Sequence, residues 1–219
     1  MKELTKATDG IISRYINRRI STRITMFIVK KGIKISPNQM SMVSFIIGMI
    51  SALIYLLGNP LIAGIAVQVS SIIDGVDGEL ARVLKKTSKQ GAFFDAILDR
   101  FVDIIVIVCI SMYLISLGVR LELLIISAML ALSGDLMVSY VHARGEASLG
   151  IHPVKIGLKL GYASRDVRLF VVFIGSVLEY FVKSILLYTL LALAIISYSY
   201  VILKMIDVYK HGKEFTSLP

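Results

Sequence analysis

The chain has 219 residues, 56% of them apolar, with a mean hydropathy of +0.80 and a formal net charge of +9. That hydropathy excludes an ordinary soluble domain, and the single cysteine, Cys109, excludes an internal disulfide or a thiolate metal site. The basic balance fits an integral membrane protein whose cations gather on the cytoplasmic side, so no nucleic-acid partner is expected.

Residues 1–10 are polar. From Ile11 to Lys34, Ile12, Ile16, Ile20, Ile24 and Ile28 recur every four residues, with Arg14, Arg18, Arg19 and Arg23 among them. The period predicts one or two amphipathic helices lying in the membrane interface, apolar side to lipid and cations to headgroups. Ser21 or Thr22 could cap a second short helix. The alternative is an ordinary helix packed on a bundle. No cleavable signal peptide is expected, because residues 1–30 lack an uninterrupted apolar core.

Ser36-Pro37-Asn38 breaks this pattern, and Pro37 suits the first turn of the next helix. Six spans are then predicted: 39–57, 61–74 continuing as helix through Arg82, 93–117, 121–141, 169–183 and 184–204. Most approach the roughly 20 residues that a hydrocarbon core of about 30 Å requires. Gly58-Asn59-Pro60 is a turn, 82–90 a basic connection, and 144–166 a more polar segment. The expected fold is an all-α integral membrane protein: six transmembrane helices plus an N-terminal amphipathic interfacial helix. Residues 1–35 form a cytoplasmic amphipathic segment, 36–209 the six-helix transmembrane domain and 210–219 a cytoplasmic tail. The N-terminal segment, the 82–90 loop, the 144–168 segment and the tail from Lys204 hold 21 of the 24 Lys and Arg residues. This asymmetry puts both termini in the cytoplasm. Ser44, Gly48 and Ala52 form a stripe of small residues suited to packing within the bundle or to a homodimer face.

Acidic residues stand out against this background. Asp74-Gly75-Val76-Asp77-Gly78-Glu79-Leu80-Ala81-Arg82 is followed by Gly91-Ala92-Phe93-Phe94-Asp95-Ala96-Ile97-Leu98-Asp99. An Asp at the centre of a membrane helix costs about 2.5–3.5 kcal/mol on insertion scales, so four together need a reason. Asp74 and Asp77 share one helix face, as do Asp95 and Asp99. The two helices are expected to be antiparallel neighbours, with the pairs facing each other inside the cytoplasmic leaflet. An oxygen-only ligand set of Asp74, Asp77, Asp95 and Asp99 selects Mg²⁺, Mn²⁺ or Ca²⁺ over Zn²⁺. The alternative is pairing with nearby cations, of which the motif holds only Arg82 and Arg100. Gly78 and Ala81 keep one face shallow for a bulky ligand, Gly91 opens the next helix, and Arg82 suits a diphosphate. Glu79 is expected to face away from the metal site or meet the headgroups. Arg100 and Asp103 form an ion pair or contact substrate, and Asp135 has the same two readings.

The pattern D-x2-D-G-x2-A-R-x8-G-x3-D-x3-D resembles the signature of the CDP-alcohol phosphotransferase family. The resemblance implies a metal-dependent enzyme of the EC 2.7.8 type in residues 36–209, moving a substituted phosphoryl group from a CDP-alcohol to an acceptor alcohol and releasing CMP. It implies one or two Mg²⁺ or Mn²⁺ ions on Asp74, Asp77 and Asp95, and Asp99 as general base, touching a metal as well. Gly78, Ala81, Arg82 and Gly91, with Asp74, would line the site for the CDP moiety. None of the three histidines (His142, His152, His211) lies in the motif, so a phosphohistidine route is not expected.

For the acceptor, Arg144, Arg165 and Arg168 are candidate ligands of an anionic phosphate, or else simple positive-inside anchors. The run Ser164-Arg165-Asp166-Val167-Arg168-Leu169-Phe170 and the entry run Asn17-Arg18-Arg19-Ile20-Ser21-Thr22-Arg23 resemble the di-myo-inositol-phosphate-phosphate synthase branch. That implies CDP-inositol as donor and inositol phosphate as acceptor. Two alternatives stay open: a phospholipid synthase using CDP-diacylglycerol or CDP-archaeol with inositol phosphate or another polar alcohol, and a non-catalytic membrane transporter or scaffold.

Overall fold

The structure, a computed structural model, describes residues 10–157 and 161–211. Among these residues there is no strand. Seven α-helices follow one another: α1 (Arg18–Lys30), α2 (Pro37–Leu56), α3 (Pro60–Val83), α4 (Lys89–Ser116), α5 (Leu121–Leu149), α6 (Arg165–Glu179) and α7 (Ile185–His211). A π-helical stretch, Ser13–Asn17, leads into α1, and a 3-10 turn, Pro153–Lys155, lies between α5 and α6.

Helix starts follow local chemistry. Ser36 and Gln39 close a reciprocal capping box ahead of Pro37. Asn59 accepts the Ile62 N–H at 3.1 Å and Pro60 fills the first turn of α3. Ser88 accepts the Gly91 N–H at 3.0 Å and so starts α4 before the expected 93. α5 runs past Val141 to Leu149, where Gly150 stops it with φ +67°; Arg144 therefore sits on a helix. α6 begins at Arg165 rather than at Leu169, and Asp166 in its first turn complements the positive end of the helix.

Four helices, α2, α3, α5 and α7, are long and apolar enough to cross a membrane. Their outward positions, Ile46, Ile50, Ile62, Ile65, Ile125, Met129, Ile195 and Ile202 among them, are large and exposed, as lipid contact requires. The two other expected spans depart for separate reasons. α4 is long, but Asp95, Asp99, Arg100 and Asp103 charge its first half, which leaves only residues 104–116 free of charge. α6 has 15 residues, about 22 Å of helix at 1.5 Å per residue.

The core draws on α2, α3, α4, α5 and α7: Tyr55, Val67, Val106, Ile110, Leu114, Leu124, Leu186 and Leu190 are almost fully buried. Helices cross closely where side chains are small. A Cβ on Gly64 of α3 would lie 2.3 Å from the Ser176 Cβ of α6. The stripe of small residues on α2 is likewise internal. A Cβ on Gly48 would lie 2.6 Å from Val102, Ser44 donates to the Ser70 carbonyl at 3.0 Å, and Ala52 is buried. Packing within the bundle, not a dimer face, accounts for it.

Two expectations about neighbours are corrected. α3 and α4 do not pack along each other; α2 packs against both, and they are held apart around the acidic residues. The segment before Lys31 is one continuous helix, and neither Ser21 nor Thr22 starts a new one. Both hydroxyls donate instead to Glu79, at 2.6 and 3.3 Å, joined by Thr25 at 2.7 Å and the Arg18 guanidinium at 2.8 Å. Glu79 is therefore fully buried against α1 rather than in the headgroup region. A polar seam of Asn17, Ser21 and Thr25 faces α3, while Tyr15, Ile20 and Phe27 stay exposed on α1 and the π-helical stretch before it.

Candidate active site

Asp74 on α3 and Asp95 and Asp99 on α4 each present a carboxylate oxygen, and these atoms all lie within 4.8 Å of one another. The separation of α3 from α4 creates the space between them. Three hard oxygen donors at this spacing fit an octahedral or larger-shell divalent cation and offer nothing a thiophilic metal would prefer. Asp77 stands beside this trio: it is buried and accepts a hydrogen bond from the Ser41 hydroxyl of α2.

Two cavities meet at this point and share Asp77, Gly78 and Asp95. The smaller, about 370 Å³, is lined by Ala81, Arg82 and Gly91, all expected in the sequence, and by Asn38, Lys86 and Ser88. Gly91 keeps it open, since a Cβ there would lie 3.2 Å from the Asn38 side-chain oxygen. The larger, about 550 Å³, holds Asp74, Asp99 and Arg165 on one wall and Arg14, Asn17 and Arg18 on another. The structure thus brings together every expected aspartate, Gly78, Ala81, Arg82, Gly91 and Arg165.

Arg144 and Arg168 are not part of either cavity wall. Arg144 is exposed on α5. Arg168 is 4% exposed and pairs with Asp135 at 2.8 Å, also donating to the Asp135 carbonyl at 3.0 Å. Arg100 pairs with Asp103 at 2.8 Å and with Asp135 at 3.2 Å. Arg100, Asp103, Asp135 and Arg168 therefore form a buried ion-pair network, which decides between the two readings of Arg100 and Asp103. Arg165 links that network to the acidic trio. Its Nε donates to both Asp103 oxygens at 3.1 and 3.3 Å, while Nη1 lies 2.8 Å from Asp99 and 3.3 Å from Asp74.

Sequence reasoning missed one wall of the larger cavity. His142 and His152 face each other with ring centroids 4.6 Å apart, and His142 Nε2 lies 2.6 Å from the Tyr200 hydroxyl of α7. Burial pushes the His152 imidazole below its ordinary pKa. These residues come from α5, a loop and α7, so no local spacing joins them. Ser41 and Asn38 were also missed; polar residues in the first turns of an otherwise apolar span were the available signal.

A family profile described as CDP-alcohol phosphatidyltransferase matches residues 34–203. A protein of Archaeoglobus fulgidus named bifunctional IPC transferase and DIPP synthase is 39% identical over 202 residues, covering 91% of this chain. This chain spans only 39% of that relative's length. An archaetidylinositol phosphate synthase of Methanothermobacter thermautotrophicus is 30% identical over 83% of this chain and 87% of its own. Among solved structures, the phosphatidylinositol phosphate synthase of Mycobacterium tuberculosis with CDP-DAG bound superposes with a TM-score of 0.72 at 23% identity, covering 88% of this chain and 95% of its own. A second structure of that synthase, in complex with manganese and citrate, gives a TM-score of 0.70. At this identity the likeness shows a shared fold.

Proposed function

This chain belongs to the CDP-alcohol phosphatidyltransferase family, and we propose that it moves a substituted phosphoryl group from CDP-inositol to inositol phosphate, releasing CMP. The observation that carries this is the meeting of two cavities at one carboxylate cluster. The smaller takes the CDP moiety through Gly78, Ala81, Arg82 and Gly91. The larger takes the acceptor, its basic lining of Arg14, Arg18 and Arg165 suiting a phosphate. Asp74, Asp77, Asp95 and Asp99 hold one or two ions, Mg²⁺ or Mn²⁺. When bound, the metal supplies charge neutralisation at the diphosphate. Asp99 receives the proton of the acceptor hydroxyl, and the cavity walls orient donor and acceptor, which is most of what phosphoryl transfer asks of a protein.

The same reading makes α2 to α7 six spans and α1 an interfacial helix, with both termini and the site on the cytoplasmic side. Residues 1–35, 36–209 and 210–219 are its N-terminal, catalytic and tail segments. A homodimer in the membrane is consistent with the many exposed apolar side chains.

One observation favours a second reading. An apolar groove of about 480 Å³, lined by Ile28, Val29, Ile33, Leu80 and Leu84, shares Lys86 with the smaller cavity. Its position suits the tail of a lipid donor such as CDP-archaeol or CDP-diacylglycerol. A donor-by-acceptor screen in detergent, reading CMP, separates the readings. CMP from CDP-inositol with inositol phosphate is the expected result. Turnover of the lipid donors alone would transfer the proposal to phospholipid synthesis, and no CMP from any pair would favour a transporter or scaffold.

A further inference from the structure

Arg165 stands between two sets of acids. Its Nε side is tied to Asp103, which is 4% exposed and also held by Arg100 at 2.8 Å. Its Nη1 reaches the opposite way, to Asp99 at 2.8 Å and Asp74 at 3.3 Å, two members of the trio that fits a divalent cation. The guanidinium thus has one anchored hand and one hand on two carboxylates of the trio. The same side chain lines the larger cavity, as do His142 and His152.

A divalent cation on the trio would compete with the Nη1 of Arg165 for the carboxylates of Asp74 and Asp99. Like charges a few ångströms apart repel, and a carboxylate lone pair turned to a metal is lost to a guanidinium. Arg165 stays fixed through Asp103, so the freed hand remains at the cavity wall with one acidic partner in place of three. An anion entering the cavity would then take the place of the carboxylates.

We propose that Arg165 is a shared counter-cation whose release from Asp74 and Asp99 by a divalent cation equips the larger cavity to bind an anionic phosphate, so that metal and anion bind with positive linkage. The proposal deepens the acceptor reading above and rests on it for the identity of the anion. Linkage is reciprocal: if metal favours the anion, the anion favours the metal by the same factor.

The test is a binding measurement on the full chain in detergent, with no donor and no turnover. Free Mn²⁺ is read from its electron paramagnetic resonance signal, with and without saturating inorganic phosphate, against protein-free controls. In the wild type, phosphate should tighten Mn²⁺ binding at least about fivefold, the low end of typical couplings. Arg165→Gln keeps a donor and removes the charge. It should bind Mn²⁺ at least about fivefold more tightly than the wild type without phosphate, and gain nothing further from phosphate. Mn²⁺ affinity in Arg165→Gln no higher than in the wild type would overturn the proposal, and so would a phosphate effect that survives the substitution. Should Arg165→Gln not fold, Arg165→Lys decides. A single ammonium cannot bridge Asp103, Asp99 and Asp74, so Mn²⁺ should bind more tightly and the phosphate response should shrink; wild-type values for both overturn it. Because the assay uses inorganic phosphate, a failed acceptor screen and a failed linkage are separate results.

Discussion

The hydroxyl of Thr25 on α1 donates at 2.7 Å to the carboxylate of Glu79, which is completely buried on α3. With Ser21 at 2.6 Å and the Arg18 guanidinium at 2.8 Å, this acid is the point on which the N-terminal helix is seated. Arg18 and Ser21 also line the larger cavity, so the seating shapes the site. Glu79→Ala leaves Arg18 and three donors without their shared acceptor. Breaking a buried pair from one side typically costs about 3–5 kcal/mol. A clear drop in the thermal midpoint in detergent is expected, with α1 becoming the first site of proteolytic nicking. Thr25→Val should cost less, about 1–3 kcal/mol, since it removes one donor and no charge. A Glu79→Ala midpoint equal to the wild type would show that α1 is held by its apolar contacts alone.

How much of this was legible beforehand depends on the range of the interaction. Asp74, Asp77, Asp95 and Asp99 announced themselves because charge inside apolar helices needs a partner, and the spacing set which faces they occupy. Gly78, Ala81 and Gly91 were legible for the same local reason. Glu79 was not, because the residues that satisfy it lie on α1, more than fifty positions away. The periodic isoleucines drew attention to the outer side of α1, while its buried side is the hydroxyl seam of Ser21 and Thr25. Arg168 joins Arg144 and Arg165 as a candidate phosphate ligand because all three gather on the cytoplasmic side; its partner Asp135 lies on another helix, 33 positions away. The separation of α3 and α4 also lay beyond local reading: a short connection implies adjacency, but α2 packs against both.

Arg168 and Asp135 give a prediction that separates structure from binding. Arg168→Leu should destabilise the fold by about 3–5 kcal/mol, because Asp135 keeps only part of its compensation from Arg100. The double variant Arg168→Leu with Asp135→Leu should recover much of that loss, as apolar replacements of buried pairs do. Acceptor KM, measured below the melting range, should stay near the wild-type value. A large KM rise with unchanged stability would place Arg168 in the acceptor site instead.

Gly64 is set where α3 crosses α6. A Cβ there would lie 2.3 Å from the Ser176 Cβ and 3.3 Å from the Phe173 carbonyl. Ser176 in turn bonds the Tyr55 hydroxyl at 2.5 Å, so the crossing also orders α2. Gly64→Ala should cost about 1–3 kcal/mol by overpacking. Adding Ser176→Gly removes the closest atom, so the pair should be strongly non-additive in a double-mutant cycle of thermal midpoints. Simple additivity would mean that the two helices move apart without penalty.

His152 lies in the loop after α5, against His142. Burial lowers its pKa, so the folded protein holds this ring neutral more firmly than the unfolded chain does. The sign follows: its contribution is complete above the unfolded value of about 6.5 and is lost as pH falls below it, because the unfolded chain then binds the extra proton. The thermal midpoint of the wild type should fall on going from pH 7.5 to about 5.5, with the fall beginning near that unfolded value and continuing below it. His152→Asn should fall less over the same interval. Parallel pH profiles for the two proteins would assign the acid sensitivity to other groups.

Asp99 gives the sharpest prediction for chemistry. It belongs to the trio of close carboxylates and also receives Arg165 at 2.8 Å. Asparagine in its place keeps the size and an oxygen that accepts from Arg165, but cannot hold a proton taken from a hydroxyl. Loss of a general base lowers turnover by about 10²–10⁴-fold. Asp99→Asn should therefore retain the wild-type elution profile and nearly the wild-type midpoint while CMP release falls by that factor. Asp95→Asn tests the other role of the trio. It replaces a charged metal carboxylate with a neutral amide at a residue other than the proposed base, so its defect should be partly recovered by raising Mn²⁺, whereas that of Asp99→Asn should not. Chelation with EDTA should silence the wild type reversibly if the trio works through a divalent ion. Unchanged CMP release in Asp99→Asn would move the base elsewhere in the larger cavity, and the histidine pair that also lines it would be the first place to look.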